Sequence, residues 1–188
     1  MSELTTVSCF RRKFLFLIVP DDSSKMLWAP GLHLRDFHDQ PGVAIPMPAS
    51  ITIPAQSTAK VHLGIRAVCL RLKIWGSLES SGWDVTPPEI TKTSFSSGYR
   101  ILPNKQITPL VFGEYARPDN RIDEIDAVID HNISAPIVVR INNYSDLPFT
   151  VEEGEQIYQL VSPQMRPADY LVLTPGDPRV QKYFGGTV

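Results

Sequence analysis

IDAVIDHNISAPIVVRINNYSDLPFTVEEGEQIYQLV, residues Ile125 to Val161, decides how the chain is read. Its short β-branched and apolar runs are Ile125–Ile129, Pro136–Asn142, Phe149–Val151 and Gln156–Val161. Between them stand Asn, Asp, Ser, Gly and Pro, the residues that favour turns. Apolar residues do not recur here at helical spacing. The pattern predicts four strands joined by tight connections, with Asp130-His131-Asn132 where one strand turns back.

Outward from this stretch the same grammar continues. Further strands are predicted over Lys13–Val19, Ser50–Ile53, Ala59–Cys69, Arg71–Trp75 and Gln106–Phe112. Leu70, Leu72 and Ile74 alternate with Arg71 and Lys73, which predicts one buried and one wet face. The 17 prolines and 11 glycines lie scattered between such runs. That spacing predicts an all-β sandwich or jelly roll rather than a parallel α/β sheet. Trp83 to Asp126 is the least regular part, with Pro87-Pro88, a polar TKTSFSSGY and an acidic DNRIDEID, and reads as a long elaboration of one connection. From Thr174 the tail TPGDPRVQKYFGGTV reads as an arm that orders on binding. The expected organisation is a β domain over 1–173, with an insertion at 83–126, and an arm over 174–188.

At 188 residues one domain with a real core is expected. A formal charge of −2 lacks the basic excess of a phosphate-backbone binder, so no direct nucleic-acid partner is predicted. Cys9 and Cys69 are too few and too far apart for a disulfide framework, which fits an intracellular compartment, cytoplasmic or nuclear. FLFLIVP, Phe14 to Pro20, follows Arg11, Arg12 and Lys13. It is short for a signal peptide, lacks an Ala-x-Ala exit, and falls far below the roughly 20 residues of a membrane span. It reads as a first core strand, with no signal peptide and no membrane partner. HLRDFHD, with His33, Asp36, His38 and Asp39, matches no strong zinc spacing, so no metal site is predicted from it. Asn132-Ile-Ser and Asn143-Tyr-Ser match the glycosylation acceptor pattern.

As a set, the strands and four short stretches resemble the trimeric dUTP diphosphatase (dUTPase) family. Val128-Ile129-Asp130, Asn143-Tyr144-Ser145-Asp146, Pro148-Phe149, Gly154, Ile157 and Gln159-Leu160 fall on its hairpin and following strands without a gap. Ile53, Pro54, Val61, Gly64 and Ile65 match an upstream passage, and Ser81-Gly82 stands at the distance of the family's Arg-Ser-Gly. Phe184-Gly185-Gly186-Thr187, with Arg179 before it, resembles the glycine-rich tail. The resemblance implies a distorted jelly-roll β-barrel and a homotrimer that exchanges its C-terminal arm.

Releasing pyrophosphate from a nucleoside triphosphate takes a base to activate water, a divalent ion on the phosphates, and fixed donors for the transition state. The resemblance assigns the base to Asp130, a phosphate contact to Ser81-Gly82, the pocket wall to Gln159, the outer phosphate to Arg179, and stacking on the base to Phe184. Thr187 belongs to the closing tail, and Mg²⁺ is implied only if the protein is active. Three family features are replaced. The acid of Gly-Tyr-Asp-Leu becomes Ala44 within Gly42 to Ile45, the arginine of Arg-Ser-Gly becomes Ser80, and the tyrosine under the sugar becomes Ile133, followed by Ser134. Each charge-assisted bond lost is worth about 1.5–3 kcal/mol, so turnover should fall by several powers of ten.

The related dCTP deaminases end in a Lys-Tyr-containing tail that Lys182-Tyr183 resembles, but Pro136 to Ile141 supplies no catalytic glutamate. Deamination is the poorest enzyme reading. Two readings remain. One is a dUTPase-fold protein with eroded catalytic motifs, resembling the degenerate dUTPase-like proteins of DNA viruses, that acts through a protein partner. Its anchors would be Trp83, Phe95, Tyr99 and Tyr115. The alternative is an active divergent dUTP diphosphatase that binds dUTP and yields dUMP and pyrophosphate.

Overall fold

The computed structural model describes residues 13–33, 40–72, 94–104, 110–115, 128–129 and 134–185. Their strands are β1 (Lys13–Pro20), β2 (Gly31–His33), β3 (Gly42–Pro46), β4 (Ile51–Ile53), β5 (Ser57–His62), β6 (Ile65–Leu72) and β7 (Ser94–Ser97). The second half adds β8 (Tyr99–Pro103), β9 (Leu110–Tyr115), β10 (Val128–Ile129), β11 (Val138–Asn143), β12 (Phe149–Val151), β13 (Gln156–Val161) and β14 (Asp169–Val172). A short α-helix, α1 (Pro178–Phe184), follows. The all-β class holds. Among the described residues the strands form sheets of order β2-β14-β1-β6-β7, β10-β8-β13-β3, β5-β11-β9 and β12-β4, with no closed barrel.

The apolar run of β1 explains the centre. Phe14, Phe16 and Ile18 point into a main core to which all four sheets contribute, including Ile45, Ile53, Val139 and Leu160. Leu15, Leu17 and Val19 point the other way, into a second cluster with Val68, Leu70, Leu171, Val180 and Phe184. A strand covered on both faces needs an unbroken apolar run, and that is what this stretch supplies. Each such side chain contributes roughly 1.5–3 kcal/mol on burial.

β6 runs antiparallel to β1 in continuous register, from Lys13 opposite Leu72 to Pro20 opposite Ile65. It too is covered twice: Cys69 faces the main core, while Leu70 faces the second cluster. The predicted wet face, on the side of Arg71, therefore does not describe β6, because Ala67 and Cys69 on that side enter the main core. The single strand predicted over Ala59–Cys69 divides into β5 and β6 at Gly64. Gly64 has φ +67°, and a Cβ there would come 2.8 Å from the Ser24 Cβ. Buried Ser24 donates its hydroxyl to the Gly64 carbonyl, fixing the corner at which the chain passes between sheets.

Two further stretches have structure of their own. The stretch read as one elaborated connection holds β7, β8 and β9, which join three different sheets. β9 overlaps the strand predicted over Gln106–Phe112, whereas the polar SFSS of β7 gives no strand signal of its own and pairs at a sheet edge. In the tail, Val180 and Phe184 of α1 are buried against β1 and β6 of the same chain. Strands β2, β3 and β14 were also missed, two of them short and one, GVAIP, carrying both Gly and Pro. Among the described residues no helix is long and apolar enough to cross a membrane.

Cys69 is buried and free, and burial pushes its thiol up to about 12. With Cys9 changed to Ser, the native protein should react with a disulfide reagent at neutral pH roughly a hundredfold or more slowly than the urea-unfolded chain, because the thiolate is the nucleophile. A thiol titration in the two states checks this.

Candidate functional site

Strand β13 carries the motif residue that can be followed most closely. Gln159 lies opposite Ala44 of β3 and Leu102 of β8. Its side chain is half-buried and donates from Nε2 to the Pro103 carbonyl at 3.1 Å. Gly42 gives it room, since a Cβ at that position would fall 1.8 Å from Gln159 Oε1. Gln159 thus braces β8 and overlies the start of β3. The residue facing it is Ala44, so no carboxylate occupies the position that the family resemblance gives to an acid.

The tail residues have partners within the chain. Asp177 caps α1, accepting from the Arg179 backbone N–H at 2.9 Å, and Pro178 opens the helix where its missing N–H costs nothing. The Arg179 guanidinium then closes back on the same carboxylate, with Nε–Oδ1 2.8 Å and Nη2–Oδ2 2.6 Å. Both side chains are only 14 % exposed. The side-chain bonds from Arg179 hold the Asp177 carboxyl below its ordinary range, against the opposing effect of burial. A bidentate pair of this kind is among the stronger polar contacts, and it commits the Nε/Nη2 edge of the guanidinium to Asp177.

Phe184, at the end of α1, is packed into the second cluster. The Arg66 guanidinium lies over its ring at 5.4 Å, and Ser134 Oγ donates to its carbonyl at 3.3 Å. The base of the 128–134 connection and the end of the tail therefore meet in one chain. Sequence reasoning found Arg179 and Phe184 but missed Asp177 and Arg66. A Pro immediately after an Asp is a helix-start signal that could have revealed the cap.

The Asn143-Tyr144-Ser145-Asp146 turn is held by a buried amide. Asn143 is fully buried, and its Nδ2 points at the carbonyls of Ile53, Pro54 and Leu147 at 3.1, 3.1 and 2.8 Å. Its Oδ1 accepts from Ser145 N and Oγ at 3.0 and 2.7 Å. Gln56, at φ +50°, adds bonds from its N to the Ser145 carbonyl and from Nε2 to the Tyr144 carbonyl. These ties close the turn onto the β4–β5 connection. They also consume the amide nitrogen of Asn143, so this acceptor pattern is not open to glycosylation in the folded chain.

The remaining assignments divide by position. Asp130, Ile133, Ser81, Gly82, Trp83 and Thr187 lie outside the described residues, as do Asp36 and Asp39. Tyr99, expected as an exposed anchor, is instead a core residue at 2 % exposure. Its hydroxyl donates to the Ala67 carbonyl at 3.0 Å, and its ring meets Phe16 edge-on at 5.7 Å. The alternation of Tyr99 and Ile101 with Arg100 is the strand signal that places it inside. Phe95 sits on β7 opposite Arg71, and Tyr115 on β9 opposite Val139. A second aromatic group, with His33 stacked on Tyr170 at 4.5 Å and Trp28 edge-on to Tyr170, buttresses β2. Trp28 Nε1 has no partner among the described residues, and it is sealed from solvent. No group of three His, Cys, Asp or Glu side chains suited to a metal ion occurs among the described residues. In comparisons with known proteins, no family model matches the chain and no curated protein matches it.

Two outcomes follow from this geometry. Asn143→Ala should lower stability by roughly 2–4 kcal/mol, since it strands several buried backbone groups at once, as read from urea denaturation. For Asp177 the depressed folded value means that its contribution is fully present above the unfolded value of about 3.9 and is lost as pH falls through the folded value. Docking of α1 should loosen only below about pH 4, and Asp177→Asn should abolish that pH dependence, as followed by NMR shifts of Val180 and Phe184.

Proposed function

We propose that the chain is a divergent dUTPase-fold protein, a distorted jelly roll assembling as a homotrimer, that acts through a protein partner with little or no dUTP hydrolysis. The reading rests on the family resemblance of the strands and turns together with one observation. Arg179, which that resemblance assigns to the outer phosphate, is already held through Nε and Nη2 by Asp177. Phe184, assigned to stack on the base, is buried beneath Arg66. A ligand that used the Nε/Nη2 edge of Arg179 or the face of Phe184 under Arg66 would have to displace these contacts. Ala44 opposite Gln159 removes a charge from the same scheme.

The Mg²⁺ that hydrolysis would use does not fit the described part of the site. The acid position of β3 holds Ala44, and no carboxylate set converges there, so no step is derived through the ion. The decisive measurement is pyrophosphate release from dUTP with magnesium, comparing the protein with Asp130→Asn. The expected result is release at the buffer rate in both. Turnover that disappears in Asp130→Asn would overturn the non-catalytic reading in favour of an active dUTPase producing dUMP. Sedimentation should give a trimer, and a monomer would remove the support for an exchanged arm.

A further inference from the structure

One lobe of the molecule joins β4, β12 and the turns at their two ends. At one end Gln56 ties the β4–β5 turn to the carbonyls of Tyr144 and Ser145. At the other, Met47 N donates to the Glu155 carbonyl, Gly154 N to the Met47 carbonyl, and Ser50 Oγ to Glu152 Oε2 at 2.7 Å. Segments 46–58 and 143–157 are thereby laced into one unit. They contain four acids, Asp146, Glu152, Glu153 and Glu155, and no Lys, Arg or His. The whole chain carries only −2, so negative charge is concentrated in this lobe.

Tyr144 and Leu147 project from its tip, 62 % and 73 % exposed. Large apolar side chains on one short turn gain nothing in water, and here the turn is held still. The Leu147 carbonyl accepts from Asn143 Nδ2 and Ser145 Oγ, and the Tyr144 carbonyl from Gln56 Nε2. A pre-ordered loop loses little entropy on association, and a tyrosine at its tip is the side-chain type that most often dominates an interface.

We propose that this lobe is a docking surface for a basic protein, one with a shallow apolar socket for Tyr144 and Leu147 rimmed by Lys or Arg. The acids steer that partner and disfavour acidic surfaces and nucleic acid. The inference stands apart from the dUTPase reading, and dUTP turnover does not bear on it.

The test uses the full chain and two display libraries of one small concave scaffold. Both carry apolar residues in the floor of the concavity, one with Lys and Arg at the rim and the other with Asp and Glu. The basic library should yield binders that weaken about thirtyfold or more with Tyr144→Ala or Leu147→Ala. Their affinity should also fall with added salt and with Glu153→Gln. Both apolar positions are exposed, so the variants should keep the parent melting temperature and report binding rather than folding. Binders recovered equally from the acidic library, or indifferent to both alanine variants, would overturn the proposal. So would self-association of the parent that Leu147→Arg abolishes, because the occupant would then be a second copy of this chain.

Discussion

The pairing of β1 with β6 is the constraint on which the rest of the structure depends. Eight consecutive positions of Lys13–Pro20 are matched to Ile65–Leu72, and both strands send apolar side chains to both sides, Phe14–Val19 in β1 and Ala67–Leu70 in β6. A slip of one residue would exchange Phe14, Phe16 and Ile18 with Leu15, Leu17 and Val19. Both sets would stay in apolar surroundings, so hydrophobicity alone does not choose the register. Shape does: Phe16 must meet the edge of Tyr99, while the opposite face must accept Val180 and Phe184. The C-terminal strand β14 then adds in parallel to β1, joining the two halves of the chain in one sheet.

Buried polar groups set the connections as firmly as apolar packing sets the sheets. Asn143, Ser24 and Ser162 are wholly buried, and each is spent on backbone groups that strand ladders leave unpaired. The result at Asn143 is a rigid turn whose outer side carries Tyr144 and Leu147. Stability of the interior and presentation of the exterior are consequences of one amide.

The tail illustrates how a charged residue can change role with its partner. An arginine on an open arm is available to phosphate. Arg179 beside Asp177, in partly buried surroundings, is committed to capping and closing α1. Seven residues are too few for a stable isolated helix, so α1 depends on Val180 and Phe184 entering the second cluster. The contact with Ser134 ties that helix to the end of the connection that carries Asp130.

Alternating and β-branched runs made the all-β class legible, and Phe149–Val151 and Gln156–Val161 were bounded as the structure has them, because local turn residues flank each run. The break at Gly64 was not legible, since it depends on Ser24 approaching from forty residues away. Nor was β7, whose polar SFSS pairs with β6 at a sheet edge and carries no alternation of its own. Of the candidate site, residue identity and spacing marked Gln159, Arg179 and Phe184. Only the tertiary structure decided that these three are engaged with Pro103, Asp177 and the outer face of β1 and β6. The sequence by itself determined which segments prefer extended backbone, because that preference is local. Which strands became neighbours, and whether a charged or aromatic side chain was left for a ligand, depended on contacts between residues far apart in the chain.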